Sequence, residues 1–142
     1  MMTITQWLLL PAFAHVALVF IVGARMGQAR FRAAQKGAVK VKDIAVDGSK
    51  WPDEVRKIAN NYTNQFEVPV LFYALLPLLL VTGLADGIAA ALAWLFVASR
   101  IAHSIIHTGA NVVIWRFRSF LFGFIIVVLM WAWFGLRLFV IG

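Results

Sequence analysis

The sequence contains no cysteine, which excludes a disulfide, a thiolate-bound metal and a cysteine nucleophile. Any sulfur chemistry must therefore use a thiol that a substrate brings. Charge is also scarce, at 13% of 142 residues, and six acidic residues face thirteen Lys and Arg. With 63% hydrophobic residues and a mean hydropathy of +0.87, this composition excludes an ordinary soluble domain. The positive excess indicates membrane topology and anionic headgroups, and we expect no nucleic-acid partner.

The hydrophobic residues form long runs, which predict an all-α integral membrane protein. One crossing takes about 20 apolar residues. The sequence therefore predicts a four-transmembrane-helix bundle, a single domain over residues 1–142, with spans at about 7–24, 66–84, 88–107 and 120–141. The first run has no basic residue ahead of it, so we interpret it as a retained span and not a cleaved signal. A basic loop at about residues 25–51 follows it.

Two local patterns predict structure between the first two spans. Apolar and charged residues partly alternate over residues 39–46, which is a weak signal for a strand or only for an extended segment. The segment 51–54 (Trp-Pro-Asp-Glu) predicts a helix start, because proline fits the first helical position and acids suit the positive end of the dipole. We expect this helix to continue to Leu84, with kinks where Pro69 and Pro77 each remove a backbone donor.

Basic residues fall almost entirely on one side of the predicted bundle. Nine lie between Arg25 and Lys57, and Arg116 and Arg118 precede span four, whereas the opposite side has only Arg137. By the positive-inside rule, both large loops are cytoplasmic and both termini face the periplasm, or the lumen in a eukaryote. We expect a multi-pass protein of the bacterial inner membrane.

Polar residues within the spans predict a site. A charge inside a span costs about 2.5–3.5 kcal/mol on insertion scales, so it usually faces protein, water or a ligand. Helical spacing forms two polar faces, one at the start of span two and one on span three: Arg56, Asn60, Asn64 and Glu67, and Arg100, His103, His107 and Asn111. With Arg116 and Arg118, these faces predict a positive, donor-rich pocket that suits a small polar anion, beside spans that suit a lipophilic partner.

Some of these residues also have a purely structural interpretation. Glu67 and Arg100 could form a buried ion pair that fixes helix register. Arg116 and Arg118 could be topological anchors, and His15, isolated in span one, fits a satisfied interior histidine or a lipid-interface residue. Convergence of the polar groups in one layer favours a functional site. No metal site is predicted.

Two stretches resemble the family of membrane-associated proteins in eicosanoid and glutathione metabolism (MAPEG). The segment 64–69 (Asn-Gln-Phe-Glu-Val-Pro) is similar to the family's Asn-x-x-Glu followed shortly by Pro. The segment 98–109, with Arg100 and His103, is similar to the Ala-Arg-x-x-His-x-x-x-Tyr-x-Gly stretch of the microsomal glutathione transferase and prostaglandin E synthase branch. Arg118-Ser119 resembles the Arg-Ser that opens span four there. The pattern of spans and loops extends the likeness over nearly the whole chain.

The resemblance implies a homotrimer with a glutathione site between neighbouring subunits, near the cytoplasmic face. Glutathione would be a co-substrate, and an arginine at the start of span four, Arg116 or Arg118, would stabilise its thiolate, since a guanidinium lowers a thiol pKa. The residues that the resemblance assigns to binding are Asn64, Glu67, Arg100, His103 and His107. The implied reaction is glutathione conjugation to a lipophilic electrophile or reduction of a lipid hydroperoxide.

Two other functions stay open at this point. The family also contains a non-catalytic lipid-binding member, so the protein could be a lipid-binding or scaffold protein of the same fold. A small transporter with Glu67 as a proton-linked site is the third hypothesis. It fits less well, because the polar residues cluster near one leaflet and do not line a path across the membrane.

Overall fold

The computed structural model describes residues 1–45 and 47–141, and 82% of these described residues are helical, with no strand among them. The helices are α1 (Ile4–Gln35), α2 (Val41–Ile44), α3 (Asp53–Asn64), α4 (Pro69–Val81), α5 (Gly87–Thr108) and α6 (Val113–Leu136), with a 3₁₀ turn at Gly48–Lys50 and a π-helical turn at Arg137–Ile141. Among the described residues, four segments are long and apolar enough to cross a bilayer: Ile4–Gln35, Asp53–Val81, Gly87–Thr108 and Val113–Ile141. The predicted all-α, four-helix membrane architecture is confirmed.

The first helix is longer than the span it contains. It starts at a capping box, in which Thr3 and Gln6 exchange hydrogen bonds, and it continues to Gln35. Most of the residues after Ala24 are good helix formers, so much of the expected basic loop is helical. Near the end of α1, the Arg30 guanidinium lies over the Trp51 ring at 5.6 Å, which holds the following loop against the helix.

The predicted strand over residues 39–46 is wrong for the described residues. Val41–Ile44 forms the short helix α2, and Val46 lies outside the described residues. A strand needs a partner strand for its backbone groups, and the described part of the chain supplies none. The alternation of apolar and charged residues therefore marks no sheet.

The predicted continuous helix from Pro52 to Leu84 is interrupted at Gln65–Val68. The start was predicted correctly, since α3 begins directly after Pro52. The helix then ends at Asn64 and restarts as α4 at Pro69. Pro69 has no N–H for the carbonyl of the residue four before it, and its ring would collide with that carbonyl in a continuous helix. The kink expected at Pro69 is therefore a complete break, and Glu67 lies on a turn.

The central helix is α5, which is the most buried span and packs against α1, α3 and α6. Its Phe96 ring lies 4.8 Å from that of Phe72 on α4, inside a fully apolar core. Gly123 brings α6 close to α5, because a Cβ built there would lie 2.5 Å from the Ser99 hydroxyl oxygen. The starts of α3 and α6 and the ends of α1 and α5 meet at one end of the bundle, called the basic end below.

Asp86 fastens the opposite end of the bundle. One carboxylate oxygen accepts the Ala89 backbone N–H at 2.8 Å, which caps the start of α5. The other accepts Trp133 Nε1 at 3.0 Å and Arg137 Nη1 at 2.6 Å, from the last turns of the chain. This cluster fixes the register of α5 against α6. It lies at the opposite end of the bundle from the polar groups of the basic end.

Candidate functional site

A polar cavity of about 470 Å³ opens at the basic end, between α3, α5 and α6. It is lined by residues from these helices and from the turn after α3: Asn60, Thr63, Asn64, Glu67, His103, His107, Arg116, Phe117 and Phe120. Most of the residues predicted for the site therefore meet in one cavity. Four predicted residues do not line it, namely Arg56, Arg100, Asn111 and Arg118.

The α3 side of the cavity supplies a carboxylate and several amides. Asn60, Thr63 and Asn64 lie on one face of α3, and Glu67 is exposed on the turn that follows. The Asn64 side chain donates to the Asn60 carbonyl at 2.9 Å, which leaves its own oxygen free to accept. This wall therefore offers one negative charge together with neutral donors and acceptors.

The α5 side supplies two buried histidines, His103 and His107, whose rings meet edge to face at 5.4 Å. His103 Nδ1 donates to the backbone carbonyl of Arg116 at 3.1 Å. A carbonyl only accepts, so the proton lies on Nδ1 and His103 Nε2 is an acceptor. Neither His103 Nε2 nor His107 Nδ1 has a partner within the described residues. Buried polar atoms without partners are uncommon, and both of these belong to residues that line the cavity.

The two arginines at the start of α6 point in different directions. Arg116 lines the cavity and donates from Nη1 to the Asn111 side-chain oxygen at 2.8 Å. Arg118 is exposed, and its guanidinium carbon lies 5.0 Å from the centre of the Trp115 ring. Of the two arginines left open by the sequence, Arg116 lines this cavity and Arg118 does not.

The turn between α5 and α6 holds Arg116 in place. Asn111 adopts a left-handed backbone conformation with φ of 51°, which asparagine tolerates better than most residues. This conformation directs its side-chain oxygen to the guanidinium. The predicted polar position at Asn111 thus serves the site by orienting Arg116, and it does not line the cavity itself.

Arg100 is 1% exposed and lies behind the cavity wall. Its Nη2 donates to the backbone carbonyl of Asn64 at 2.9 Å. It makes no ion pair within 4.0 Å of Glu67 in the described structure, so the alternative of a buried Glu67–Arg100 pair is wrong. Arg56, at the outer end of the same polar face, pairs with Asp53 at 3.2 Å and lies outside the cavity.

A buried amide network, not predicted from the sequence, supports the wall from behind. Asn61 donates to the Ser104 hydroxyl at 2.8 Å, and Gln65 donates to both the carbonyl and the side-chain oxygen of Asn61 at 3.1 Å. Of the two interpretations of His15, the structure supports the interior one, because the residue is fully buried and its Nδ1 shares a hydrogen bond of 2.7 Å with the Tyr73 hydroxyl. The i, i+4 spacing of Asn61 and Gln65 is the sequence signal that could have identified this network.

Three lining residues were also missed. Thr63 lies between Asn60 and Glu67 on the same helical face, so the spacing that selected its neighbours would have found it. Phe117 and Phe120 have no such signal, because α6 is apolar along nearly all its length. They give the cavity an apolar side next to Arg116. No group of three metal-ligating side chains occurs among residues 1–45 and 47–141.

The four spans fit a multi-pass helical membrane protein, and the cavity with its polar lining residues lies at the basic end of the bundle. The comparison with family models identifies it further: the model of the MAPEG family matches residues 8–136, nearly the whole chain, and the protein belongs to that family. The family predicted from the sequence is thereby confirmed. Neither a curated protein nor a solved structure matches the chain.

Proposed function

We propose that the protein is a glutathione-dependent membrane transferase or peroxidase, related to the microsomal glutathione transferase and prostaglandin E synthase branch of its family. The observation that supports this most is the cavity in which Glu67, His103 and Arg116 converge. Glutathione carries the complementary groups, namely an ammonium, two carboxylates and a thiol. Membership of a family whose members use glutathione supports the same ligand.

The cavity fits a tripeptide in size and in donor chemistry. Its volume of about 470 Å³ falls within the range of roughly 300–1,000 Å³ that is usual for small-molecule sites. Glu67 can pair with the ammonium, and the amides of Asn60 and Asn64 can exchange hydrogen bonds with the peptide groups. His103 Nε2 is available as an acceptor for an N–H or S–H group.

Arg116 is the proposed catalytic residue. Its guanidinium pairs with the thiolate, lowers the pKa of the glutathione thiol and raises the nucleophile's concentration at neutral pH. In conjugation, the thiolate sulfur forms a bond to the electrophilic carbon, and the leaving group departs with its electron pair. In peroxide reduction, the thiolate attacks the terminal oxygen, the O–O bond breaks, and the lipid oxygen takes a proton. A second glutathione then converts the sulfenic product to the disulfide and water.

The lipophilic acceptor is proposed to enter from the bilayer. Phe117 and Phe120 give the cavity an apolar wall on α6, and the outward surface of α6 carries many exposed apolar side chains. An acceptor dissolved in the membrane can therefore approach the sulfur along this apolar side. The thiol substrate is water-soluble, and it enters the cavity from the aqueous side, at the basic end.

The basic end is proposed to face the cytoplasm of a bacterial inner membrane. The nine basic residues between Arg25 and Lys57 support that orientation. The cytoplasm also keeps thiols reduced, which a glutathione enzyme requires.

The protein is proposed to form a homotrimer, as its family resemblance implies, in which a neighbouring subunit closes the outer side of each cavity. Light scattering of the detergent-solubilised protein measures that mass.

A lipid-binding or scaffold protein is the second candidate, favoured by an apolar groove of about 390 Å³ between α1 and α4. Phe13, Tyr73 and Pro77 are among the residues that line it. This candidate predicts that lipid stays bound through purification and that no glutathione turnover occurs. The groove is separate from the polar cavity, so the two functions depend on different residues.

The experiment that tests the proposal is an assay of the purified protein with glutathione. One acceptor is 1-chloro-2,4-dinitrobenzene, which reports conjugation, and the other is a lipid hydroperoxide. We expect glutathione-dependent turnover of at least one, and its loss in Arg116→Ala. Absence of turnover with both acceptors, with lipid retained by the protein, would favour the second candidate.

A further inference from the structure

At the break between α3 and α4, every carbonyl in the last turn of α3 has a defined partner. A helix normally leaves its last four carbonyls without intrahelical donors. Here the carbonyls of Asn61, Tyr62 and Thr63 accept from the Gln65 side chain, the Gln65 backbone and the Phe66 backbone, respectively. Residues that follow α3 thus donate to three of the four terminal carbonyls of that helix.

The fourth carbonyl, that of Asn64, is satisfied from another helix. Arg100 on α5 donates to it from Nη2 at 2.9 Å. A positive group at a helix C-terminus also interacts favourably with the negative end of the helix dipole. Arg100 therefore acts as a cap for α3, supplied by a helix adjacent in space and not by the local sequence.

Arg100 is held rigidly in that position. It is 1% exposed, and its stem lies beside Gly123, where an added Cβ would come 3.9 Å from Arg100 Cδ. The residue does not line the cavity, whereas the Asn64 side chain and Glu67 do. The guanidinium thus contacts the backbone of the wall from behind, while the ligand groups of the wall face forward.

We propose that Arg100 is a positioning residue, which holds the Asn64 carbonyl and the following turn so that Asn64 and Glu67 face the cavity. This inference rests on the proposed function and revises one role implied by the resemblance, in which Arg100 binds glutathione directly. Its role is to act through Asn64 and Glu67, with no contact to the ligand.

The first test needs no ligand. Hydrogen exchange of the intact protein in detergent compares wild type with Arg100→Met, which keeps the apolar stem and removes the donors. We expect faster exchange at Gln65–Val68 and unchanged exchange in the middle of α6. Arg118→Met, the same change at an exposed arginine, should leave both segments unchanged. Unchanged exchange at Gln65–Val68 in Arg100→Met would overturn the proposal.

The second test separates positioning from ligand contact. Calorimetry measures the affinity of wild type and of Arg100→Met for glutathione and for its diethyl ester, which lacks both free carboxylates. If Arg100 is a positioning residue, Arg100→Met lowers the affinity for both ligands by the same factor, about tenfold, because both contact the same wall of the cavity. If Arg100 contacts a carboxylate directly, Arg100→Met lowers the affinity for glutathione and leaves the affinity for the diethyl ester unchanged. That result would overturn the proposal. In addition, the effects of Arg100→Met and Glu67→Gln should be less than additive, since one acts through the other.

Arg100→Lys keeps the test decisive if the methionine variant does not fold. Lysine retains one charged donor group, the ammonium, on a different reach and without the planar fork of guanidinium, so we expect partial recovery of protection at residues 65–68 and of affinity. A lysine variant with wild-type affinity but fully unprotected amides there would contradict the link between the two. If wild type binds no glutathione, the proposed function fails, while the exchange measurement still decides the role of Arg100.

Discussion

His103 on α5 donates from Nδ1 to the backbone carbonyl of Arg116 on α6, at 3.1 Å. Two residues of the cavity wall thus fix one another across two helices. The same carbonyl accepts the Ser119 hydroxyl at 2.9 Å, so the first turn of α6 is held at one point from two directions. Since Nδ1 carries the proton, His103 Nε2 is the nitrogen free to accept from a ligand.

Substitution of His103 should separate these two roles. Asparagine can reproduce the Nδ1 donor but not Nε2, whereas phenylalanine reproduces neither. We expect His103→Phe to lower the free energy of unfolding in detergent by about 1 kcal/mol more than His103→Asn, the usual net contribution of one hydrogen bond. Both variants should bind glutathione more weakly. Equal stability of the two variants would argue against the bond to Arg116.

Arg116 and Arg118 form a matched pair for testing the thiolate contact. Arg116→Ala should reduce kcat/KM for glutathione conjugation by about 100-fold or more, the usual cost of losing one charge-stabilising donor. Arg118→Ala should retain nearly full activity, because this side chain lies over Trp115 outside the cavity. Steady-state kinetics at saturating acceptor measure both variants. The reverse order of the two effects would assign the thiolate to Arg118.

Glu67 should recognise the ammonium of glutathione and no other part of it. Glu67→Gln keeps the shape and removes the charge, so we expect affinity for glutathione to fall by about 10- to 100-fold. N-acetylglutathione, which has no ammonium, should bind wild type and Glu67→Gln equally. Calorimetry gives both affinities. A Glu67→Gln variant that weakens the two ligands equally would show that Glu67 contacts another group.

Gly123 should be required for the close approach of α6 to α5. A methyl group added there meets the Ser99 hydroxyl, so Gly123→Ala should lower the free energy of unfolding by about 1–3 kcal/mol. Gly135→Ala is the control on the same helix, because nothing lies within 4 Å of a Cβ built at Gly135. Ser99→Gly should restore stability to Gly123→Ala. Equal thermal stability of the two alanine variants would contradict this packing.

Absence of cysteine makes the orientation directly measurable. Single cysteines at Ala38, beyond the end of α1, and at Thr82, at the end of α4, would lie on opposite sides of the bilayer. In intact bacterial spheroplasts, we expect a membrane-impermeant maleimide to label Thr82→Cys and to label Ala38→Cys only after lysis. Labelling in the opposite order would reverse the proposed orientation.

The sequence predicted which residues line the cavity where helical spacing alone decides position. His103 and His107 are four residues apart on one helix, so they share a face wherever that helix lies. The same rule correctly grouped Asn60 and Asn64. Membrane depth then limited which faces could meet, since charged groups avoid lipid. The positions of these residues could therefore be predicted without knowing how the helices pack.

Residues whose role depends on helix rotation were not predictable. Arg116 and Arg118 are two positions apart, which is about 200° around a helix, so only one of them can face the cavity. Which one does so depends on the rotation of α6, and close packing of Gly123 against Ser99 helps to fix that rotation. The proposed role of Arg100 was hidden for a similar reason, because its partner is a backbone carbonyl that has no intrahelical donor once the helix breaks before Pro69.

The most direct test of the central claim is the proton released when glutathione binds. Calorimetry in two buffers of different ionisation enthalpy measures this release at neutral pH, with S-methylglutathione as the control. If Arg116 stabilises the thiolate, glutathione binding releases protons in wild type, Arg116→Ala releases far fewer, and S-methylglutathione releases none. Absence of binding, or binding with the same proton release in wild type and Arg116→Ala, would contradict a thiolate site at Arg116.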